Sequence, residues 1–309
     1  MRIAVMGTGA VGGYFGAKLA AAGQDVVFIV RQRNLPALRR NGLRVESPTG
    51  DLNVRNGFFT DSPADAGMVD LVLFCVKSYD TAEAAAALAP MMSKRTAILS
   101  LQNGIDNPDK IAGLWGTERT LAGVVYLGAQ VSAPGVIQHS SGGKIVLGPI
   151  SGHSSDTAQL VEQTISRATI PCEISAVIEQ VQWAKLLWNA PFCAISCLTR
   201  STVREIVESE SLTKLTRDCM MEVKAAAHIR GIDLKTELFD QTLAFSRGLG
   251  EFKPSMLQDL EAGKPLEYDA LNGIVMRLLE QAGEQAPTNR VFHGTLSFLD
   301  KKLREEASR

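Results

Sequence analysis

Residues 3–20 read IAVMGTGAVGGYFGAKLA. A short apolar run meets Gly7, Gly9 and Gly12 in a G-x-G-x-x-G spacing, and a helical pattern follows at once. Such a strand, tight turn and helix let the backbone approach a pyrophosphate closely, and the free N–H groups of the helix start stabilise its charge. Three glycines alone are weak evidence, but their placement between strand and helix makes the segment Gly7, Thr8, Gly9, Ala10, Val11 and Gly12 a dinucleotide-binding turn.

Further along, β-rich runs alternate with helical ones: DVVFIV at 25–30, VDLVLFCV at 69–76 and TAILSL at 96–101. Nearly continuous apolar strands separated by helices predict a parallel sheet covered on both faces. AEAAAALAPMM at 82–92 fits one of the crossover helices. LRVESPTGDLNV at 43–54 and GAQVSAPGVIQHSSGGKIVLG at 128–148 read instead as hairpins that extend the sheet with antiparallel strands. From about Pro171 the strand signals fade, and helical patterns follow with breaks near Ser201, Gly231, Pro254, Gly263 and Gly283. The expected fold class is α/β: a Rossmann-type dinucleotide-binding domain over 1–170, then an all-α domain over 171–309.

The end of the second strand tests which dinucleotide is bound. An NAD site carries an acid there for the ribose 2′-hydroxyl, whereas DVVFIVRQRN supplies Arg31, with Arg33 close behind and no acid at that place. A guanidinium suits a 2′-phosphate, so NADP is favoured over NAD; two surface arginines in a loop are the alternative. Lys77 in FCVKSYD and Asn103 in LSLQNGID stand at two further strand ends, where ligands of open α/β sheets lie, although either also suits a plain loop.

In the second half, WAKLLWNAPFC at 183–193 places Lys185 and Asn189 one helical turn apart, on a stripe shared with Val181, Trp188 and Phe192. An ammonium among apolar side chains is destabilised unless it is paired, unless its stem carries it to water. Pro191 removes a backbone hydrogen bond from the same helix and is expected to kink it.

Composition excludes several classes. A chain of 309 residues with 45% hydrophobic residues can bury a sizeable core, and a net charge of -1 gives no general attraction to nucleic acid or anionic lipid. Five scattered cysteines without a C-x-x-C pair argue against a disulfide framework and a zinc site. His139, His153, His228 and His293 lack metal spacing, so no metal is expected. With no signal-like start and no apolar run of membrane length, a cytoplasmic protein that does not enter a membrane is expected.

In order along the chain, GTGAVG (7–12), VKSYD with Lys77, LQNG with Asn103, PGVIQHSSGG (134–143), WAKLLWNA with Lys185 and Asn189, and SMLQDLEAGKPLEYDALNG (255–273) with Ser255 and Glu267 resemble the ketopantoate reductase (2-dehydropantoate 2-reductase) family. The resemblance implies a helical second domain similar to that of 6-phosphogluconate dehydrogenase and reduction of ketopantoate by NADPH on the route to pantothenate. It also places Lys185 as proton donor and Asn189 and Ser255 as substrate contacts. Lys77, Asn103, Ala129 and Glu267 fall at coenzyme-contact positions, with Asn103 also facing substrate and Glu267 assigned beside Lys185 in the catalysis.

Two positions depart from the family pattern. Cys193 occupies a substrate-contact position where the family has an asparagine, and Phe252 occupies one where another asparagine is frequent. Loss of two amides weakens recognition of a substrate hydroxyl, so another branched or more apolar 2-oxo acid is the second expectation. A non-catalytic NADP-binding regulator is the third, and Lys185, Asn189, Ser255 and Glu267 together speak against it. Related dehydrogenases suggest a homodimer.

Overall fold

The computed structural model describes residues 1–150 and 156–307; His153 lies outside them. The chain divides into two compact units, one of residues 1–103 and 107–178, the other of 104–106 and 179–309.

The first unit is built on one sheet with strands β1 (Arg2–Met6), β2 (Asp25–Ile29), β3 (Leu43–Glu46), β4 (Leu52–Val54), β5 (Phe58–Thr60), β6 (Leu71–Phe74), β7 (Ala97–Ser100), β8 (Thr120–Ala133), β9 (Val136–Pro149) and β10 (Cys172–Ile174). Their order is β4-β3-β9-β8-β7-β6-β1-β2-β5, with β10 also on β9. The stretch β7-β6-β1-β2-β5 is parallel throughout. Alternation along β1 sends Ile3 and Val5 into one core, with Tyr14, Phe15 and Leu19 of the helix Ala10–Ala21. Ala4 and Met6 enter the opposite core, with Ala84, Ala85 and Ile111. A strand buried on both faces is why these runs read as continuous apolar sequence.

Both expected hairpins form, β3 with β4 and β8 with β9. They join the sheet in a mixed manner, because β7 pairs β8 and β3 pairs β9 in parallel. The 14-residue β9 is long enough to pair β3 through Val136–Gln138 and β10 through Ile145–Leu147. Residues 171–178 therefore go with the first unit. Cys172–Ile174 was legible in the sequence only as the start of the helical region, since three residues are too short to show a period.

The second unit is helical among the described residues. Its helices are Ile178–Thr199, Val203–Glu208, Glu210–Ile229, Glu237–Arg247, Ser255–Glu261, Ile274–Gln281 and Pro287–Ala307, with a π-helical turn over Asp269–Gly273. The expected breaks near Ser201, Gly231, Pro254, Gly263 and Gly283 all fall between helices, whereas the break at Ser209 was not expected. Its core gathers Trp183, Leu187, Phe192, Val223, Leu257 and Phe292. The first long helix continues through Pro191 without interruption. No helix among the described residues is long and apolar enough to cross a membrane.

Candidate functional site

In the first unit the glycine turn follows β1 directly. Gly7 has φ +97°, and a Cβ there would lie 2.8 Å from the amide nitrogen of Val76, so both conformation and space demand glycine. A Cβ on Gly12 would collide with the carbonyl oxygen of Gly7. Gly9 differs: a Cβ there would meet nothing within 4 Å. The open space lies at the N-terminus of the helix Ala10–Ala21, whose cap has no side-chain hydrogen bond and whose first turn has no acidic residue. A helix start that is open, free of acid and able to offer backbone N–H groups fits the pyrophosphate of a dinucleotide.

Arg31 stands at the end of β2, and the structure brings an acid to it from a different strand end. Its guanidinium donates to Asp80 at 2.8 Å. Partial burial opposes the charge, but the carboxylate of Asp80 and hydrogen bonding to Asp80 and the Tyr79 hydroxyl leave the Arg31 pKa above its usual range. Asp80 and Tyr79 lie in the quoted VKSYD segment, yet from sequence only Lys77 was singled out there. Sequence distance concealed the pair, which is 49 residues apart.

Lys77 is half-buried at the head of the 3-10 turn Ser78–Asp80, and its carbonyl accepts the Asp80 N–H at 2.9 Å. Asn103 is also half-buried, and its carbonyl accepts from the Asn107 amide at 2.8 Å. A chain of buried polar groups ties these two strand ends. Ser100 donates to Gln102 at 3.0 Å, Gln102 to Thr81 at 2.7 Å, and Thr81 to Asn107. Ala129 lies in β8 opposite His139, beside a ladder irregularity, and is packed against the core of that face. His139 in turn packs its ring against Tyr14, in the helix that follows the glycine turn, at 4.5 Å between ring centroids.

In the second unit, Lys185, Asn189 and Cys193 follow one another at one-turn intervals along the helix Ile178–Thr199. Lys185 is half-buried, while Asn189 and Cys193 are buried. Burial draws the Lys185 ammonium down to about 8, while Cys193 and Glu267 pull the other way. Glu267 is itself buried and stands just ahead of the π-helical turn Asp269–Gly273. Its electrostatic effect on Lys185 brings two expected residues, 82 positions apart in sequence, into one neighbourhood. Trp188 and Phe192 stack at 5.1 Å between ring centroids, and Phe252 leans on Trp188 at 6.3 Å. Ser255 is exposed at the first residue of its helix.

An ammonium with a pKa of about 8 can exchange its proton closer to neutral pH than an ordinary lysine, and an amide one turn away can both donate and accept hydrogen bonds. No group of three or more His, Cys, Asp and Glu suited to a metal occurs among the described residues.

The sequence profile of ketopantoate reductase PanE/ApbA matches residues 3–152, and that of its C-terminal domain matches residues 177–300. The chain belongs to this family. Among its relatives, the 2-dehydropantoate 2-reductase of Mesorhizobium japonicum is 31% identical over 93% of this chain and 94% of its own. The crystal structure of a PanE/ApbA family ketopantoate reductase from Ralstonia eutropha superposes with a TM-score of 0.90 at 34% identity, covering 98% of this chain and 100% of that one. A D-mandelate dehydrogenase solved with NADH and anilino(oxo)acetate reaches a TM-score of 0.91 at 20% identity, covering 98% and 99%. At that identity the likeness concerns the fold alone. Family membership makes the chain a reductase by descent, while the backbone alone does not single out its substrate.

Proposed function

We propose that this protein reduces the ketone of a 2-oxo acid with NADPH, and that ketopantoate is the substrate. In this reading the first unit holds the coenzyme through Gly7–Gly12, Arg31, Lys77 and Asn103, and the second supplies substrate contacts and the proton. When bound, the nicotinamide supplies the hydride for the carbonyl carbon.

The observation that carries the reading is the Lys185 ammonium, drawn down to about 8 and set one turn from Asn189. As hydride reaches the carbonyl carbon, negative charge grows on the ketone oxygen. A preplaced ammonium stabilises that charge and then donates its proton to it. Asn189 orients the substrate through its amide, and Ser255 donates to a carboxylate. Cys193 and Glu267 partly offset the effect of burial on Lys185, and with a pKa of about 8 the donor is loaded at neutral pH.

A second reading, a 2-oxo acid without a hydroxyl, has its own support. Cys193 continues the Lys185 and Asn189 stripe with a buried thiol, and Phe252 adds an aromatic ring beside Trp188. Both are poor partners for a hydroxyl and good ones for an alkyl or aryl group.

The deciding experiment is the initial rate of NADPH consumption with ketopantoate beside 2-oxoisovalerate, 2-oxoisocaproate and phenylpyruvate, with Lys185→Ala as control. Preference for ketopantoate, abolished in the control, supports the first reading. A higher kcat/KM for a hydroxyl-free acid replaces it with the second, and NADPH binding without turnover of any oxo acid defeats both.

A further inference from the structure

In the parallel sheet β1 lies between β6 and β2, and the glycine turn rises from its end. Arg31 follows β2 and Asp80 belongs to the turn after β6, so their ion pair spans the end of β1 from one neighbouring strand to the other. Two strand spacings, roughly 9–10 Å, are bridged at the crevice where ligands of such sheets enter. The pair is no buried strut, because the two side chains keep 53% and 36% of their exposure and can exchange partners with a ligand.

Asp80 is also unusually available. It stands at the cap position of the helix Thr81–Ala86, where an aspartate commonly accepts from the helix N–H groups, yet its side chain makes no capping bond and turns to Arg31. One carboxylate oxygen, Oδ2, takes the single Arg31–Asp80 bond. The same small area thus presents a guanidinium with several donors, a carboxylate, and the hydroxyl of Tyr79.

We propose that Asp80 supplies, from the β6 turn, the acid that is missing at the end of β2, and that the Arg31–Asp80 pair lets the protein accept both NADPH and NADH. A 2′-phosphate takes Arg31 from Asp80 by forming a bidentate charge-assisted pair. An unmodified ribose instead leaves the pair in place and donates its 2′-hydroxyl to the Asp80 carboxylate. Asp80 therefore weakens NADPH by like-charge repulsion and strengthens NADH by a hydrogen bond, and its charge sets the ratio between them. This rests on the reading of the first unit as a nicotinamide-coenzyme site.

The test is calorimetric binding of NADPH and of NADH to the full chain, for the unaltered protein, Asp80→Asn and Arg31→Gln, with kcat and KM for each coenzyme alongside. Neither change touches a buried or capping bond, and thermal melting checks that both variants fold. Expected are measurable binding of both coenzymes to the unaltered protein and a shift of roughly tenfold in their Kd ratio toward NADPH in Asp80→Asn, from tighter NADPH and weaker NADH together. Arg31→Gln should lose NADPH affinity by a similar factor and spare NADH. An unchanged ratio in Asp80→Asn, or a loss of NADPH affinity there, overturns the inference while leaving the coenzyme site in place. Binding of neither coenzyme to the unaltered protein overturns the site reading itself.

Discussion

The Thr81 hydroxyl donates to Oδ1 of Asn107 at 2.9 Å, and both residues are buried. Thr81 also accepts from Gln102, so one hydroxyl joins the turn that follows β6 to the segment that follows β7. Thr81→Val keeps the shape and leaves both partners without this bond. Urea unfolding should show a loss of about 1–3 kcal/mol, and Thr81→Ser should recover most of it. Equal losses in the two variants would assign the effect to packing.

Glycine positions in the turn separate folding from binding. Gly7→Ala meets both a positive φ and the Val76 backbone, so it should destabilise the fold by roughly 1–3 kcal/mol. Gly9→Ala adds a methyl group in open space at a φ of -89°, which any residue adopts. Its melting temperature should stay near that of the unaltered protein while NADPH affinity falls by about tenfold or more, because the methyl occupies the approach of the pyrophosphate. Unchanged affinity in a folded Gly9→Ala protein would place the coenzyme elsewhere.

Lys185 donates only while protonated, and its pKa is about 8. The rate should therefore be level below that pH and decline by about tenfold per unit above it. Lys185→Ala should reduce kcat by about 10²–10⁴ without loss of coenzyme binding. Stability moves in the opposite direction with pH. The folded chain gives up this proton near 8 and the unfolded chain near the ordinary 10.5, so between these values the unfolded state binds more protons and the contribution of Lys185 to stability rises with pH. A rate that climbs through pH 8 would mean that Lys185 acts as a base.

The Glu222 carboxylate receives the N–H groups of Thr288 and Asn289 at 2.7 and 2.8 Å and the Asn289 side-chain amide at 2.7 Å. A charge at the start of the helix Pro287–Ala307 suits the helix dipole as well. Glu222→Gln removes the charge and turns one acceptor into a donor facing an N–H. The expected cost is about 1–3 kcal/mol in thermal or urea unfolding, with KM for either substrate unchanged if the role is structural.

Much of this architecture is legible in the sequence because it depends on local pattern. The glycine spacing after β1, the two hairpins and the helix breaks at Ser201, Pro254 and Gly283 each reflect turn chemistry or a helical period within a few residues. Lys185 and Asn189 were visible for the same reason, since one helix carries both. What escaped depends on contacts between distant residues. The acid beside Arg31 comes from 49 positions away, β10 is too short to carry a period, and the parallel pairing of β3 with β9 joins residues about 92 apart. The π-helical turn after Glu267 leaves no composition signal, because it differs from an α-helix only by one residue in its hydrogen-bond step.

The length of β9 bears on how the first unit comes into being. One edge of this strand is shared by β3, made early in synthesis, and β10, made more than a hundred residues later. Sheet pairings of such separation are slow to form, and an uncovered strand edge invites pairing with other chains. A nascent chain that stops short of Ile174 therefore leaves the Ile145–Leu147 part of this β9 edge without its strand partner until the last strand has emerged from the ribosome.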